Sequence, residues 1–284
     1  MTNAAIIKES MEYSRIQVEP VAGALGAEIT GIDLANDLDD GTIAEIRAAW
    51  LENLVVFFRD QNITPTQHIA FAKRFGDIAE DPVNDGLDEF PEIVPVIKLE
   101  HETTNIGDIW HSDTAYVETP PMGAILCARE LPPVGGDTLF ANMYAAYDAL
   151  SDGMKEMLSG LIAVNSSAKP DVIRTRKARV KNKKPQEAEL VSEHPVVRTH
   201  PETGRKILYV NSGHTLRFCG MTDEESAPIL NYLFQHQVKA EFTCRFHWQP
   251  GSIAFWDNRA TQHNAINDYH GYKRVLHRIP LAGD

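Results

Sequence analysis

The sequence predicts a mainly β fold with flanking α-helices, built on a double-stranded β-helix core of the jelly-roll, cupin-like kind. Three observations predict it. From about residue 93 the chain breaks into short β-branched and aromatic runs separated by Gly and Pro turns. Helical signals fall between these runs and are short. The 284 residues are 43% hydrophobic, enough for one large core, and the strand spacing suits a double-sheet arrangement.

In chain order, residues 21–32 read as short strands with glycine turns. Residues 42–51 carry Ile43, Ile46, Ala49 and Trp50 at helical spacing. Residues 54–58, Leu-Val-Val-Phe-Phe, form a buried strand. Thr64-Pro65-Thr66-Gln67 is a capping box with proline at the first helical position, and Gly76 is expected to close that helix. Strands are then expected at 93–99, 122–129, 138–140, 196–199, 207–210, 241–248, 252–256 and 274–280. Helices are expected at 143–150, 153–161 and 223–237, the last opened by a Thr222/Glu225 box. No repeat or linker interrupts the chain, so residues 1–284 are expected to form one domain. The polar, Lys- and Arg-rich stretch at 171–186 predicts a loop or lid insertion around 165–190.

The net charge of −13 argues against nucleic acid and anionic membranes as partners. Local arginines must therefore draw in any anionic substrate. No run of about 18 apolar residues predicts a membrane span. Cys127, Cys219 and Cys244 are odd in number and far apart, which points away from a disulfide scaffold and towards the cytoplasm.

The chemistry concentrates in a polar constellation: His111-Ser112-Asp113 behind Trp110, His263 after Trp256, then Arg274 and Arg278. Two imidazoles and one carboxylate make a facial ligand set for Fe(II), leaving positions for substrate and O2. His111 and Asp113 are two apart, so on a strand they share a face. Arg274 and Arg278 are four apart and also share a face, where buried cations call for anions. The turn at 132–138 directs the Thr138 hydroxyl inward.

Several motifs in order, Trp110-His111-Ser112-Asp113, Gly135-Gly136-Asp137-Thr138-Leu139, residues 194–201, residues 256–263 and Arg274 to Arg278, resemble the taurine dioxygenase/TfdA family of Fe(II)- and 2-oxoglutarate-dependent dioxygenases. The resemblance runs from about Val21 to Gly283. It implies that His111, Asp113 and His263 bind Fe(II). It implies that Arg274, with Thr138, holds the distal carboxylate of 2-oxoglutarate, and that Asp257 and Asn258 orient ligands. It also implies O2-dependent hydroxylation with release of succinate and CO2. Related halogenases lack the carboxylate ligand, so Asp113 favours hydroxylation. A dimer or tetramer is the assembly the family suggests.

Arg278 matches the family arginine that contacts the sulfonate of taurine. Where taurine enzymes place a histidine and then a tyrosine, this chain has Asp81-Pro82-Val83-Asn84, and His214 replaces an aromatic wall. Asp81 would repel an anion unless it faces away or pairs with a cation. Arg278, Asp81, Asn84, Thr114 and His214 are the candidate substrate contacts. The expected substrate is a small organic anion: an aryloxy or alkyl carboxylate, an alkyl sulfate or a sulfonate, with C–O or C–S cleavage after hydroxylation. Taurine itself, a biosynthetic oxidase or desaturase of the same family, a zinc hydrolase and a non-catalytic jelly-roll binder remain alternatives.

Overall fold

The computed structural model describes residues 12–169 and 189–283. The lid expected around 165–190 lies mostly outside them. Fifteen strands and five helices alternate along the described residues. Strands β1 (Gln17–Pro20), β2 (Ala27–Thr30) and β3 (Val55–Phe58) open the chain. Helix α1 (Asp40–Asn53) precedes β3, and α2 (Pro65–Lys73) follows it. Next come β4 (Val94–Lys98), β5 (Gly123–Glu130), β6 (Thr138–Asn142), α3 (Met143–Asp148), α4 (Asp152–Leu158) and β7 (Ile162–Ser166). The rest are β8 (Val191–Pro195), β9 (Val197–Thr199), β10 (Lys206–Leu208), β11 (Thr215–Phe218), α5 (Asp223–His236), β12 (Thr243–Phe246), β13 (Ile253–Asp257), β14 (Thr261–Ala265) and β15 (Arg274–Leu281).

Seven strands form one sheet in the order β1-β2-β3-β13-β5-β15-β4. Smaller sheets are β12-β6-β14, β11-β7-β8 and β10-β9. Alternation along the large sheet separates two cores. Phe57, Leu126, Ala254, Trp256 and Leu276 meet Phe140 and Phe246 of the β12-β6-β14 sheet. On the opposite face Phe58, Ile125, Phe255 and Ile279 pack under α1 and α2 through Ile46, Trp50 and Phe71. Trp50 stacks on Phe255 at 4.5 Å, and Phe57 stacks on Phe246 at 3.9 Å. The fold is therefore mainly β with few helices, as expected. Among the described residues, no helix is long and apolar enough to cross a membrane.

Both capping boxes form: Thr64 with Gln67 opens α2, and Thr222 with Glu225 opens α5. Gly76 does not close α2. The helix ends at Lys73, and the Arg74 N–H bonds the Ala72 and Phe71 carbonyls. The run expected as a strand over 241–248 begins as a 3-10 turn, Ala240–Phe242, before β12. Strands β7, β8, β11 and β14 lie where no strand is expected from the sequence. In β14 the polar sequence Thr-Gln-His-Asn-Ala hides the apolar alternation that marks a strand.

Candidate metal and cosubstrate site

The three expected donors come from a loop and one strand. His111 is not on a named strand. It forms an isolated antiparallel bridge to His263 of β14, with backbone N···O distances of 3.1 and 2.9 Å in the two directions. The His111–Asp113 pair therefore shares a side through a bridged loop rather than through strand alternation. Gly213 makes this loop's approach possible, since a Cβ there would sit 2.9 Å from His111 Cβ. The His111 and His263 ring centroids are 4.1 Å apart. Asp113 Oδ1 lies 3.5 Å from His111 Nε2 and 3.7 Å from His263 Nε2. One donor atom from each of the three residues falls within 4.8 Å of the others.

Neighbouring groups orient this set. His111 Nδ1 donates to the Ile109 carbonyl at 2.7 Å, which leaves Nε2 as the lone-pair nitrogen. Asn258 accepts from the Asp113 backbone N–H at 2.7 Å and donates to the carbonyls of Asp113 and Pro121 at 3.1 and 2.9 Å. Asn258 thus fixes the loop that carries the carboxylate. Asp257, one residue before, is fully buried and takes no part in the ligand set. It accepts from His200 Nε2 at 2.9 Å and from Arg259 Nε and Nη2 at 3.0 and 2.8 Å. The family motifs contain His200 and Arg259 without implying a role for them, although a buried Asp in an Asp-Asn-Arg turn calls for such partners.

Electrostatics suit a cation. Burial alone would raise the Asp113 carboxyl, but the Arg278 guanidinium beside it, helped by the two neighbouring imidazoles, outweighs burial and holds it well below the usual carboxylate range. Burial, then His111, pushes His263 down to about 3, so its ring is neutral at physiological pH. Neutral imidazoles and an ionised carboxylate are the protonation states a metal ion requires. Asp113 Oδ2 and His263 Nδ1 are buried without a hydrogen-bond partner. The residues present therefore fit a divalent cation.

Arg274, 3% exposed, opens β15. Its Nε and Nη2 are buried and unpaired, and burial lowers its pKa. Trp248 and Tyr269 flank the guanidinium at 5.7 and 5.8 Å, and a Cβ on Gly136 would approach its Cδ and Nε to 3.2 Å. Trp248 Nε1 donates to Thr138 Oγ1 at 3.0 Å, leaving the threonine O–H available to donate. A buried guanidinium with two idle donors beside a hydroxyl can take a carboxylate.

The candidate substrate contacts divide into groups. Arg278 Nη1 donates to Asp113 Oδ1 at 3.1 Å, and Nη2 makes a short bond to Asp81 Oδ2. Asp81 thus pairs with a cation, the condition under which its charge does not repel an anion. Asn84 supports Asp81 rather than the cavity, donating to Asp81 Oδ1 from its backbone N–H and Nδ2 at 2.8 and 3.1 Å. Thr114, Asp81, Asp113, Arg278 and Pro280 line one cavity. Thr114 holds φ at 48°, a left-handed conformation strained for a β-branched residue, and its hydroxyl is buried and unpaired. His214 lies 6.0 Å from the His111 ring and 4.9 Å from Tyr116, forming a wall with that tyrosine. Trp256 packs 4.8 Å from the His263 ring.

The profile described as "Taurine catabolism dioxygenase TauD, TfdA family" matches residues 17–279. An alkylsulfatase of Acinetobacter baylyi is 36% identical over 95% of this chain and 86% of its own length. An alpha-ketoglutarate-dependent sulfate ester dioxygenase of Pseudomonas putida is 35% identical over 100% of this chain and 95% of its own. The crystal structure of a taurine dioxygenase from Burkholderia xenovorans superposes with a TM-score of 0.81 at 38% identity, covering 95% of this chain and 92% of that one. Fold and relatives together define an oxidoreductase, a dioxygenase that uses 2-oxoglutarate and O2. More particularly, the chain belongs to the TauD/TfdA family.

Proposed function

We propose that this chain is an Fe(II)- and 2-oxoglutarate-dependent dioxygenase that hydroxylates a C–H bond of a small organic anion. The carrying observation is the convergence of His111, Asp113 and His263, together with a buried Arg274 that has two idle donors on β15, the strand whose Arg278 meets Asp113. With its metal and cosubstrate bound, the site couples O2 reduction and decarboxylation of 2-oxoglutarate, to succinate and CO2, to C–H hydroxylation. His111 and His263 offer their Nε2 atoms, and Asp113 adds one negative charge. Asn258 holds the Asp113 loop in register. Arg274 takes the distal carboxylate of 2-oxoglutarate bidentately, and Thr138 donates its hydroxyl to the same group. Burial of these groups excludes water from the cosubstrate end.

Arg278 is the anion-binding group for the substrate, with Thr114 lining the same cavity and Tyr116 and His214 forming a wall. Asp81 offsets part of the Arg278 charge, which favours a singly charged head group. A sulfate monoester is the leading choice, supported by the names of both curated relatives. Alkyl sulfonates and aryloxy or alkyl carboxylates share its chemistry. Hydroxylation at the carbon beside the heteroatom gives a hemiacetal-type product, whose C–O or C–S bond then breaks. The facing sheets support a double-stranded β-helix core for one domain spanning residues 1–284. The three free thiols support the cytoplasm, and a dimer or tetramer is the assembly we retain.

Anaerobic addition of Fe(II) and 2-oxoglutarate should give the visible absorption of a metal–oxo-acid chelate. Succinate release should then depend on an organic anion from a panel of alkyl sulfates, sulfonates and aryloxy carboxylates. No chelate band from folded protein, or coupling only to neutral or cationic compounds, would overturn this reading.

A further inference from the structure

Of the motif at residues 194–201, His200 serves Asp257, whereas His194 reaches the loop that carries Asp113. His194 lies in β8 and is 6% exposed. Its Nε2 donates to the Val117 carbonyl at 3.0 Å, with the Ala115 carbonyl beside it. Burial, then the charge of Arg198, lowers its pKa, which favours the neutral ring with a single N–H. Tyr209 backs the ring edge-on at 5.6 Å, and the Arg198 guanidinium lies 4.5 Å from the Tyr209 centroid. The Tyr209 N–H is tied to the Val196 carbonyl at 2.7 Å, so the imidazole sits in a packed stack.

The segment that His194 holds faces the substrate cavity. Residues 114–117 form a turn closed by the Val117 N–H on the Thr114 carbonyl at 3.1 Å. Thr114 opens it at φ 48° and lines the cavity with Arg278. Tyr116, 4% exposed, packs on His214, and its phenol acts on Arg278. Asn258 fixes the start of this turn through the Asp113 backbone, and His194 fixes its end. The two anchors come from different places, the β13–β14 turn and the β11-β7-β8 sheet. A turn that begins with a strained, left-handed threonine relaxes when one anchor is released. Releasing the His194 end moves Tyr116 and Thr114 while Asn258 still holds the Asp113 carboxylate.

We propose that His194 is a positioning residue for the substrate: it holds the 114–117 turn so that Thr114 and Tyr116 set the anion's place relative to the metal. This rests on the reading of Arg278 as the head-group cation made above. His194 acts through the turn rather than on the substrate.

The probe is hexyl sulfate. Its binding is measured calorimetrically to protein loaded with Mn(II) and 2-oxoglutarate, without turnover. His194→Phe keeps a ring against Tyr209 and removes the N–H. It should weaken hexyl sulfate about tenfold while Mn(II) and 2-oxoglutarate affinities stay within about twofold. With Fe(II) and O2, aldehyde formed per succinate released should fall about threefold, because a misplaced C–H is oxidised less often per turnover. His194→Gln carries an amide nitrogen the same number of bonds from the backbone as Nε2, and it should restore most of both. His194→Asn is one bond shorter; it should behave like His194→Phe and carries the test if that variant does not fold. Unchanged hexyl sulfate affinity and coupling in these variants overturns the proposal. So does a parallel loss of Mn(II) affinity, or no recovery in His194→Gln. Wild-type protein that binds no hexyl sulfate would instead overturn the sulfate-ester reading, and this inference with it, so the two failures are distinguishable.

Discussion

Strand β15 has two faces, and they solve opposite problems. Arg274, Leu276 and Arg278 face the β12-β6-β14 sheet, whereas His277 and Ile279 face the helices. Both faces bury polar atoms without partners. Under the helices these include His68 and Arg129, close to His277: basic residues that act on one another. Burial, with help from Arg129, simply keeps the imidazoles uncharged, His68 at about 3 and His277 at about 4. Across the sheet, idle atoms of Asp113, His263, Thr114 and Arg278 mix acid, base and hydroxyl around one centre, and those of Arg274 lie on the same strand as Arg278. A buried polar group of one chemical type is neutralised by its surroundings. A mixed group that converges with atoms to spare is arranged for ligands.

The sharpest way to break this comparison is His263→Ala. It should abolish metal binding and turnover while leaving the melting temperature of the metal-free protein near wild type; Mn(II) titration and a thermal melt check both. Next in size is Phe255→Ala on the helix-covered face. Loss of its stack on Trp50 should cost about 3–5 kcal/mol in urea denaturation, with Mn(II) affinity of the folded fraction unchanged. Weakened metal binding there would mean the two faces are coupled.

Arg274→Met should separate stability from function. Replacing a buried, incompletely paired cation with an apolar side chain should stabilise the ligand-free protein by about 1–3 kcal/mol, while 2-oxoglutarate use collapses. Denaturant midpoints and cosubstrate KM read the two effects.

Acid tests the helix-covered face. His68 is neutral in both folded and unfolded states above pH 6.5, so it contributes no pH dependence there. Below 6.5 the unfolded chain takes up a proton that the folded state refuses until about pH 3. Stability should therefore fall across that window, by roughly 2 kcal/mol at pH 5 from this group alone. His68→Leu should remove about that much of the dependence in melts run from pH 7 to 5, leaving the share of His277 and His263. The smallest effect is expected at the α2 cap, where Thr64→Ala should cost about 1 kcal/mol without touching either ligand.

Much of both faces is legible in the sequence, because short-range rules govern it. Capping boxes at Thr64 and Thr222, the apolar run before Phe58 and the helical spacing of Ile43, Ile46 and Trp50 depend on neighbours within a few residues. Family motifs place His111, Asp113, His263, Thr138 and Arg274 for the same reason: their types and order persist in the chain itself. Strand β14 escapes notice because its inward residues are ligands and hydrogen-bonding groups, so a site strand does not look like a strand. Only the tertiary structure decides that Asp81 meets Arg278 from 197 residues away, that Asn258 clamps the Asp113 loop, and that Lys98 shares Tyr269 with Arg274. Charge pairing between distant segments depends on sheet register, and register is set by the packing of the whole core rather than by any local pattern.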